Sequence, residues 1–203
     1  MRLHTSLTSP FGRKVRLAVR CAGLAAGVQL LVVNLAEERA RVFALNPLGK
    51  IPVLQLPDGR CLHDSRVIVD YLDLLAANAV LLPREPAQRL EVLCEQSLAD
   101  GLLDATVLQV YEARYREASQ RSDLWLAMQR EKVAHTLTHL QERVADRPLG
   151  AAPHIGEITL AVALAFLGER ISQDWRHTHP RLADWLDRFA VACPDFGATA
   201  PPS

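Results

Sequence analysis

The stretch Asn46-Pro47-Leu48-Gly49-Lys50-Ile51-Pro52-Val53-Leu54 (NPLGKIPVL) follows a short polar helix, predicted at 36–45, and leads into an extended segment. Because the cis form of an Xaa-Pro peptide bond costs only about 0.5 to 1 kcal/mol, the bond between Ile51 and Pro52 is a candidate cis bond. A cis bond there turns the Ile51 backbone outward at a sheet edge, where its N–H and C=O can pair with an extended peptide. The alternative is that Pro52 simply opens an edge strand.

The residues around this stretch predict an α/β unit. Apolar runs mark strands, apolar side chains spaced by three and four mark helices, and the turn Pro57-Asp58-Gly59 makes a hairpin. The continuous apolar run Val28–Val33 predicts a strand that is covered on both faces. The predicted order is therefore βαβαββα, with strands at 2–7, 28–33, 52–56 and 60–63 and helices at 10–22, 36–45 and 64–75.

From Ala76 onward the signals are helical only. Residues 76–88 (AANAVLLPREPAQ) contain two prolines and no periodicity, which predicts a linker. Residues 158–167 (ITLAVALAFL) are apolar on every side, as in a helix at the centre of a bundle, and the tail from Pro194 is expected to be loosely ordered. The predicted helices lie at 87–118, 123–145, 156–172 and 180–192. The predicted division is a domain of residues 1–77, a linker of residues 78–86 and an all-helical domain of residues 87–203.

Composition argues against several classes of function. The 203 residues carry 23 Lys and Arg against 23 Asp and Glu, so the net charge predicts neither a nucleic acid nor an anionic membrane as partner. No apolar run reaches the roughly 18 residues of a membrane helix, and the first ten residues lack a signal-peptide core, so we expect a soluble, cytoplasmic protein. The four cysteines form no Cys-Xaa-Xaa-Cys pair, and we expect all four to be reduced structural thiols.

The segment Thr8-Ser9-Pro10-Phe11-Gly12-Arg13-Lys14-Val15-Arg16 (TSPFGRKVR) has two interpretations. Ser followed by Pro is typical of a helix start, because Ser Oγ accepts from unpaired N–H groups and Pro lacks a donor that would have no partner there. The Ser9 hydroxyl could instead hold a reactive sulfur. The basic residues of this segment, together with Arg20, predict the solvated face of a helix rather than a nucleic-acid surface.

Three motifs, in order along the chain, resemble those of the cytosolic glutathione transferases. SPFGRKVRLA resembles the first strand-to-helix turn of the serine-type members, NPLGKIPVL resembles the loop that holds a cis-proline, and HDSRVIVDYL resembles the segment that binds the γ-glutamyl end of glutathione. DGLLDA at 100–105 and the apolar helix after Pro153 resemble a little-characterised bacterial branch. The resemblance covers essentially the whole chain and implies a thioredoxin-like N-terminal domain, an all-α C-terminal bundle and a homodimer.

The resemblance implies a glutathione site in the first domain. Ile51, before Pro52, would pair with the cysteinyl residue, and Lys50 would face the glycyl carboxylate. Ser65 and the amides at its helix start would hold the γ-glutamyl carboxylate, and Asp64 would neutralise the ammonium group. An Asp-Ser helix start is also an ordinary cap, and the two roles are compatible.

By the same resemblance, Ser9 donates a hydrogen bond to the glutathione thiolate, with Thr8 as the alternative hydroxyl. Only about 3% of a thiol with a pKa near 8.5 is ionised at neutral pH, and the thiolate is the nucleophile. Lowering that pKa to about 6.5 corresponds to roughly 2.7 kcal/mol, and one hydrogen bond to a charged acceptor contributes about 1.5 to 3 kcal/mol. Because serine cannot form a mixed disulfide, thiol–disulfide exchange is disfavoured.

The second substrate would bind beside this site. The family places an electrophile pocket near the loop of Phe11, which is also expected among the glutathione contacts, and along the long helix that carries Tyr111, Arg114 and Tyr115. Packing of these aromatic side chains at a subunit interface is the alternative.

Two histidine patterns are weaker signals. At the start of the central helix the family's Ser or Thr and Asp capping pair is replaced by His154 and Glu157, and His is a poorer cap than Ser. His135 and His139 are spaced as metal ligands on a helix face, but they lack a third ligand in register, so no metal is expected.

The function expected from the resemblance is conjugation of the glutathione thiolate to an apolar electrophile, or reduction of peroxides with it. Glutathione would be the co-substrate. The competing class is a non-catalytic scaffold or regulator with the same fold, which has no need of the Asp64-Ser65 motif. A glutathione-dependent isomerase or dehalogenase would share the first domain entirely and differ only in the pocket.

Overall fold

A computed structural model of the chain describes residues 1–76, 81–150 and 152–202. Strands and helices alternate in its N-terminal part, and only helices follow. The first group comprises β1 (Arg2–Thr5), α1 (Pro10–Cys21), β2 (Gln29–Val32), α2 (Arg39–Leu45), β3 (Val53–Gln55), β4 (Cys61–Leu62) and α3 (Ser65–Leu75). The second comprises α4 (Pro86–Tyr115), α5 (Asp123–Val144), α6 (Ile155–Arg170), α7 (Trp175–Thr178), α8 (Pro180–Ala192) and α9 (Pro194–Ala198). The predicted order and fold class are confirmed.

The four strands form one mixed sheet in the order β2-β1-β3-β4. Leu3 in β1 is opposite Leu30 in the parallel strand β2 and opposite Leu54 in the antiparallel strand β3. β2 is therefore an edge strand, and Leu30 and Val32 are 40% and 55% exposed. The prediction that Val28–Val33 is covered on both faces is wrong, because a continuous apolar run does not distinguish a central strand from an edge strand.

Helices α1 and α3 pack against each other beside the sheet, and α1 also packs against α6. α1 therefore lies between the sheet and the helical region. Its buried side chains Val15, Leu17 and Ala18 belong to one continuous hydrophobic core with residues of the strands, α3, α4 and α6. Because the loop after β1 leads directly into α1, this core fixes the position of Ser9.

α6 is the central helix of the C-terminal region, as its apolar composition predicts. All residues from Ile155 to Leu164 are buried, and the helix packs mainly against α4. It begins with a complete capping box, in which His154 Nδ1 accepts from Glu157 N at 3.3 Å and Glu157 Oε2 accepts from His154 N at 3.1 Å. His154 therefore caps the helix in place of a Ser, and both hydrogen bonds of the capping box are formed.

The basic face of α1 is not solvated, which corrects the sequence-based interpretation. Arg13 and Lys14 are buried and Arg16 is half-buried, whereas Arg20 is exposed. Arg13 donates to Glu169 on α6 and Lys14 to Asp100 on α4. These cations lie between the two regions of the chain, where acidic or carbonyl groups replace water.

The C-terminal tail is also more ordered than predicted. Residues 194–198 form α9, and Phe196 is buried with its ring 5.5 Å from that of Phe189. Arg13 Nη2 donates to the Phe196 carbonyl at 3.2 Å, and the Arg13 guanidinium carbon lies 4.4 Å from the Phe196 ring centroid. The tail is thus fixed to α1 by polar and aromatic contacts that its composition does not reveal.

The predicted division into two domains with a linker at 78–86 stays a prediction. Residues 78–80 of that linker lie outside the described residues, and α4 begins at Pro86 with Glu85 as its N-cap. Within the described ranges, every helix is too short or too polar to cross a bilayer.

Candidate functional site

A cleft of about 530 Å³ lies where the N-terminal region meets α4. It is lined from three segments of the first region and one of the second. The residues predicted from sequence that line it are Phe11, Lys50, Ile51, Pro52, Asp64 and Ser65. Those that sequence reasoning missed are Asn46, Leu48, His63, Arg66, Val67, Asp100 and Asp104.

The loop before β3 forms one wall of the cleft. The Ile51–Pro52 peptide bond is cis, as predicted. Asn46 holds the loop from within, because its side-chain amide donates to the Lys50 carbonyl at 2.8 Å and its Oδ1 accepts from Leu48 N at 3.0 Å. Ile51 lies beyond the β1–β3 ladder, which ends at Val53, and it borders the cleft.

A glycine makes the turn of this loop possible. Gly49 has φ of +62°, and a Cβ built on it would lie 2.7 Å from Phe43 Cζ. Both the backbone conformation and the close approach of the ring favour glycine at this position. Nothing in the sequence NPLGK identifies Asn46 as the side chain that holds this loop.

The start of α3 forms another part of the cleft lining. Asp64 is the N-cap, its Oδ1 accepts from Arg66 N at 3.0 Å, and its Oδ2 lies 2.9 Å from Arg66 Nη2. Burial acts to raise the pKa of Asp64, but these hydrogen bonds from Arg66 outweigh it and the pKa is lowered. Ser65 is buried at the first helical position, beside N–H groups that have no partner within the helix.

The floor of the cleft contains a buried ion pair. Asp100 on α4 accepts from Lys14 Nζ through both carboxylate oxygens, at 2.7 and 2.9 Å. Burial raises the pKa of Asp100 and Lys14 opposes that rise. Asp104 lies one turn further along α4. Burial is the main cause that raises its pKa, and the positive charges of Arg66 and then Lys50 oppose that rise. Together with Lys50, Arg66 and Asp64, these groups give the cleft charges of both signs.

Ser9 is the N-cap of α1. Its Oγ accepts from Gly12 N at 3.1 Å, and Pro10 occupies the first helical position. Among the residues that the structure describes, its hydroxyl donates to no protein acceptor. The capping interpretation is thus satisfied while the hydroxyl hydrogen stays available to a ligand. Thr8 is exposed and lies 3.4 Å from Ser6 Oγ through its own Oγ1.

The structure places Ser9 beside the large cleft rather than in its lining. Ser9 lines a separate small cavity of about 10 Å³ with Phe166 on α6 and Pro201 of the tail. Phe11, two residues later, does line the cleft. The loop and first turn of α1 therefore connect the two spaces.

Gly12 allows α1 to approach β1. A Cβ built on Gly12 would lie 1.9 Å from Thr5 Oγ1, which no side chain could tolerate without a shift. This close approach sets the position of the helix start that carries Ser9.

Tyr111, Arg114 and Tyr115 do not line the cleft. They lie in the last two turns of α4, where the rings of Tyr111 and Tyr115 meet edge to face with their centroids 5.2 Å apart. Since seven residues are close to two helical turns, Tyr111 lies on the same face of α4 as Asp104, about 10 Å further along. The electrophile pocket assigned to these side chains stays a prediction.

None of the four cysteines, which all lie in the described ranges, lines the cleft, and neither His135 nor His139 does. Cys21 Sγ lies 3.8 Å from Cys193 Sγ, at the opposite end of α1 from Ser9. In the described part of the chain, no cluster of three or more His, Cys, Asp or Glu side chains has the geometry of a metal site.

Comparisons with known proteins were consistent along the whole chain. The family model described as "Glutathione S-transferase, N-terminal domain" matches residues 3–79, and "Glutathione S-transferase, C-terminal domain" matches residues 109–188. An uncharacterized GST-like protein, YibF of Escherichia coli, is 33% identical over 206 residues, covering 100% of this chain and 99% of the relative.

Two crystal structures of a glutathione transferase family member from Pseudomonas fluorescens Pf-5 are also similar. The structure with bound glutathione has a TM-score of 0.93 at 36% identity and covers 100% of this chain and 99% of its own. The structure with bound S-(propanoic acid)-glutathione has a TM-score of 0.88 at 36% identity, with 100% coverage of both chains.

Proposed function

The chain belongs to the glutathione S-transferase family, and we propose that it binds glutathione in the cleft and transfers its thiolate to an apolar electrophile. The observation that carries this proposal is that the loop with Lys50 and Ile51 and the helix start with Ser65 converge around one cleft of about 530 Å³. The binding of glutathione by the similar Pseudomonas protein supports it.

The charges around the cleft complement those of glutathione. The tripeptide carries two carboxylates and one ammonium group, and the cleft presents Lys50 and Arg66 as cations and Asp64 and Asp104 as anions. Ser65 and the free amides of α3 would bind the γ-glutamyl carboxylate. Arg66 already donates three hydrogen bonds to the Asp64 carboxylate, so Asp104 is the better partner for the ammonium group.

Ser9 would donate its hydroxyl hydrogen to the glutathione sulfur. The Oγ lone pair that caps α1 and the hydroxyl hydrogen are different groups, so capping and thiolate stabilisation can operate together. The positive end of the α1 dipole favours the thiolate further. The reaction then requires only that the electrophile reach the sulfur from the side of Phe11 and the Tyr111 face of α4.

A binding experiment tests the first half of this proposal. Glutathione titrated calorimetrically into wild-type protein is expected to bind, and Ser65→Ala is expected to weaken binding about tenfold or more, because it removes a hydrogen bond to a charged group. Lys50→Met should weaken binding by a smaller factor, and Lys132→Met on α5 is the matched control that should not change it. Wild-type protein that fails to bind glutathione would overturn the proposal.

The chemical step is tested by turnover with an activated aryl chloride and, separately, with an organic hydroperoxide. Conjugation predicts a glutathione thioether as product, whereas peroxidase activity predicts oxidised glutathione and an alcohol. Binding without turnover of any electrophile in a broad screen would favour a non-catalytic role.

The proposal extends to a cytoplasmic homodimer. Large apolar side chains on α3 and α4, among them Leu74 and Leu90, are 66% and 63% exposed. Exposed leucines on adjacent helices are suited to a subunit interface. Sedimentation should therefore give twice the chain mass, and Leu90→Arg should shift the protein towards monomer. A monomeric wild-type protein at micromolar concentration would contradict this assembly.

A further inference from the structure

The loop that presents Ser9 has few hydrogen bonds of its own. It runs from Ser6 to Ser9, between the end of β1 and the start of α1. Inside it, Ser9 N reaches the Ser6 carbonyl only at 3.4 Å, and Ser6 and Thr8 share one hydroxyl contact of 3.4 Å. Both distances are at the long end of the hydrogen-bond range, so the loop needs an external contact to hold one conformation.

Arg16 supplies that contact. Its Nη2 donates to the Leu7 carbonyl at 3.2 Å and to the Thr199 carbonyl at 2.8 Å. One guanidinium nitrogen thus joins the Ser9 loop to a residue that follows it by more than 180 positions. Arg16 is half-buried, and burial is the main cause that lowers its pKa, followed by repulsion from Arg13.

The segment on the other side of this contact is itself fixed. Thr199 is buried, and its Oγ1 donates to the Phe196 carbonyl at 3.1 Å. The chain then passes Ser9, since Pro201 lines the small cavity with Ser9 and Phe166. The anchored tail therefore gives Arg16 a rigid point against which to hold the loop.

We propose that Arg16 is a positioning residue for Ser9, because it ties the Ser6–Ser9 loop to the C-terminal segment at Thr199. The effect of Arg16 on catalysis rests on the proposed function. The hydrogen bonds by which Arg16 holds the loop do not depend on it. Arg16 would not contact glutathione. It would act by keeping the Ser9 hydroxyl at hydrogen-bond distance from the sulfur, where a displacement of about 1 Å weakens the interaction steeply.

A matched pair of variants tests the tie. Arg16→Met removes both hydrogen bonds, whereas Arg20→Met removes the exposed contact of Arg20 Nε to Asp195, 2.6 Å long, which also joins α1 to α9. In hydrogen–deuterium exchange, Arg16→Met should speed exchange about fivefold or more in the peptides containing residues 6–9 and 199–200. Arg20→Met should leave residues 6–9 unchanged. Unchanged exchange of residues 6–9 in folded Arg16→Met would overturn the tie.

A second readout tests the consequence for the thiol. With glutathione bound, Arg16→Met should raise the pKa of the thiol by about 1 unit and lower kcat about five- to tenfold at about pH 6, with KM for glutathione changed less than about threefold. Arg16→Lys keeps a charged donor and should recover part of the loss. A variant whose loop exchanges faster while the thiol pKa stays at the wild-type value would refute the positioning role.

The failure of the two proposals can be told apart. If wild-type protein does not lower the pKa of bound glutathione, the proposed function fails and the positioning role of Arg16 fails with it. The exchange experiment still decides whether Arg16 holds the loop, because it uses the free protein and no glutathione.

Discussion

Lys14 Nζ and the Asp100 carboxylate form a buried two-oxygen contact, with distances of 2.7 and 2.9 Å and a Lys14 side chain that is completely buried. The contact joins α1 to α4 directly under the cleft. Burial lowers the pKa of Lys14 and the carboxylate opposes this, so each partner needs the other to remain charged. The pair therefore fixes the distance between the helix that carries Ser9 and the helix that carries Asp104.

Removing one member of this pair should be strongly destabilising. Lys14→Met leaves the Asp100 carboxylate buried without its partner, and we expect a loss of about 3 to 5 kcal/mol in the free energy of unfolding, measured by urea denaturation. The double variant Lys14→Met with Asp100→Leu should recover most of the loss. Arg89→Ala, which removes an exposed ion pair to Asp70, is the control and should cost less than about 1 kcal/mol. If Lys14→Met lowered the free energy of unfolding as little as Arg89→Ala does, the ion pair would not be important for stability.

Gly12→Ala should be destabilising for a steric reason. The added Cβ would lie 1.9 Å from Thr5 Oγ1, and the shift needed to relieve this contact should cost about 1 to 3 kcal/mol. Gly101→Ala is the matched control, because a Cβ there meets nothing within 4 Å in the middle of α4, and it should stabilise by about 0.5 to 1 kcal/mol. Equal effects of the two substitutions in thermal or urea unfolding would rule out the close approach of α1 to β1.

The cap of α6 should depend on pH. Burial, and then Arg147, lower the pKa of His154 from 6.5 to about 4, and only neutral Nδ1 can accept from Glu157 N. Because the folded pKa is below the unfolded one, this contribution is complete above about pH 6.5 and is lost as pH falls towards 4. As the pH falls from about 7 to about 5, the loss of this contribution should lower the free energy of unfolding by about 2 kcal/mol.

The comparison that isolates this contribution is His154→Ser, which keeps a capping oxygen and removes the titrating ring. Glu157, whose pKa is raised mainly by burial, acts in the opposite direction in both proteins. Unfolding free energies at the two pH values should therefore fall more for wild type than for His154→Ser. Parallel pH profiles for the two proteins would show that His154 is not neutral at the cap.

The cysteines should differ widely in reactivity. Burial, with the neighbouring Cys193, raises the pKa of the Cys21 thiol to about 12, whereas Cys94 is exposed. Since alkylation requires the thiolate, iodoacetamide at about pH 8 should modify Cys94 roughly 10³-fold faster than Cys21. Peptide mass spectrometry over a time course measures both rates, and comparable rates at the two cysteines would contradict the burial of Cys21.

Local sequence chemistry predicted the parts of the site that depend on neighbouring residues. Ser9 before Pro10 and Asp64 before Ser65 cap their helices as expected, and the Ile51–Pro52 bond is cis. Each of these features needs only a few adjacent residues. The burial of the α1 cations could not be predicted in the same way, because the partners of Lys14 and Arg13 follow them by 86 and 183 positions. A run of Arg and Lys residues has the same sequence pattern whether its side chains contact water or a distant carboxylate.

The cleft shows the same limit. Asp100 and Asp104 belong to the motif DGLLDA, but they reach the cleft only because α4 packs against α6 and Asp100 pairs with Lys14 on α1. The Asn46 side chain donates to the Lys50 carbonyl, a contact that the sequence of the loop does not indicate. The order and type of the elements could be read from local patterns, but the second wall of the site depends on tertiary contacts.

The central claim is that Ser9 stabilises the thiolate of bound glutathione. The most direct test follows the ultraviolet absorbance of that thiolate against pH for wild type, Ser9→Ala and the neighbouring control Thr8→Val. We predict a pKa well below the free value of about 8.5 in wild type and in Thr8→Val, and a rise of about 1 to 2 units in Ser9→Ala. Glutathione that binds wild-type protein and still titrates near its free pKa would contradict the account.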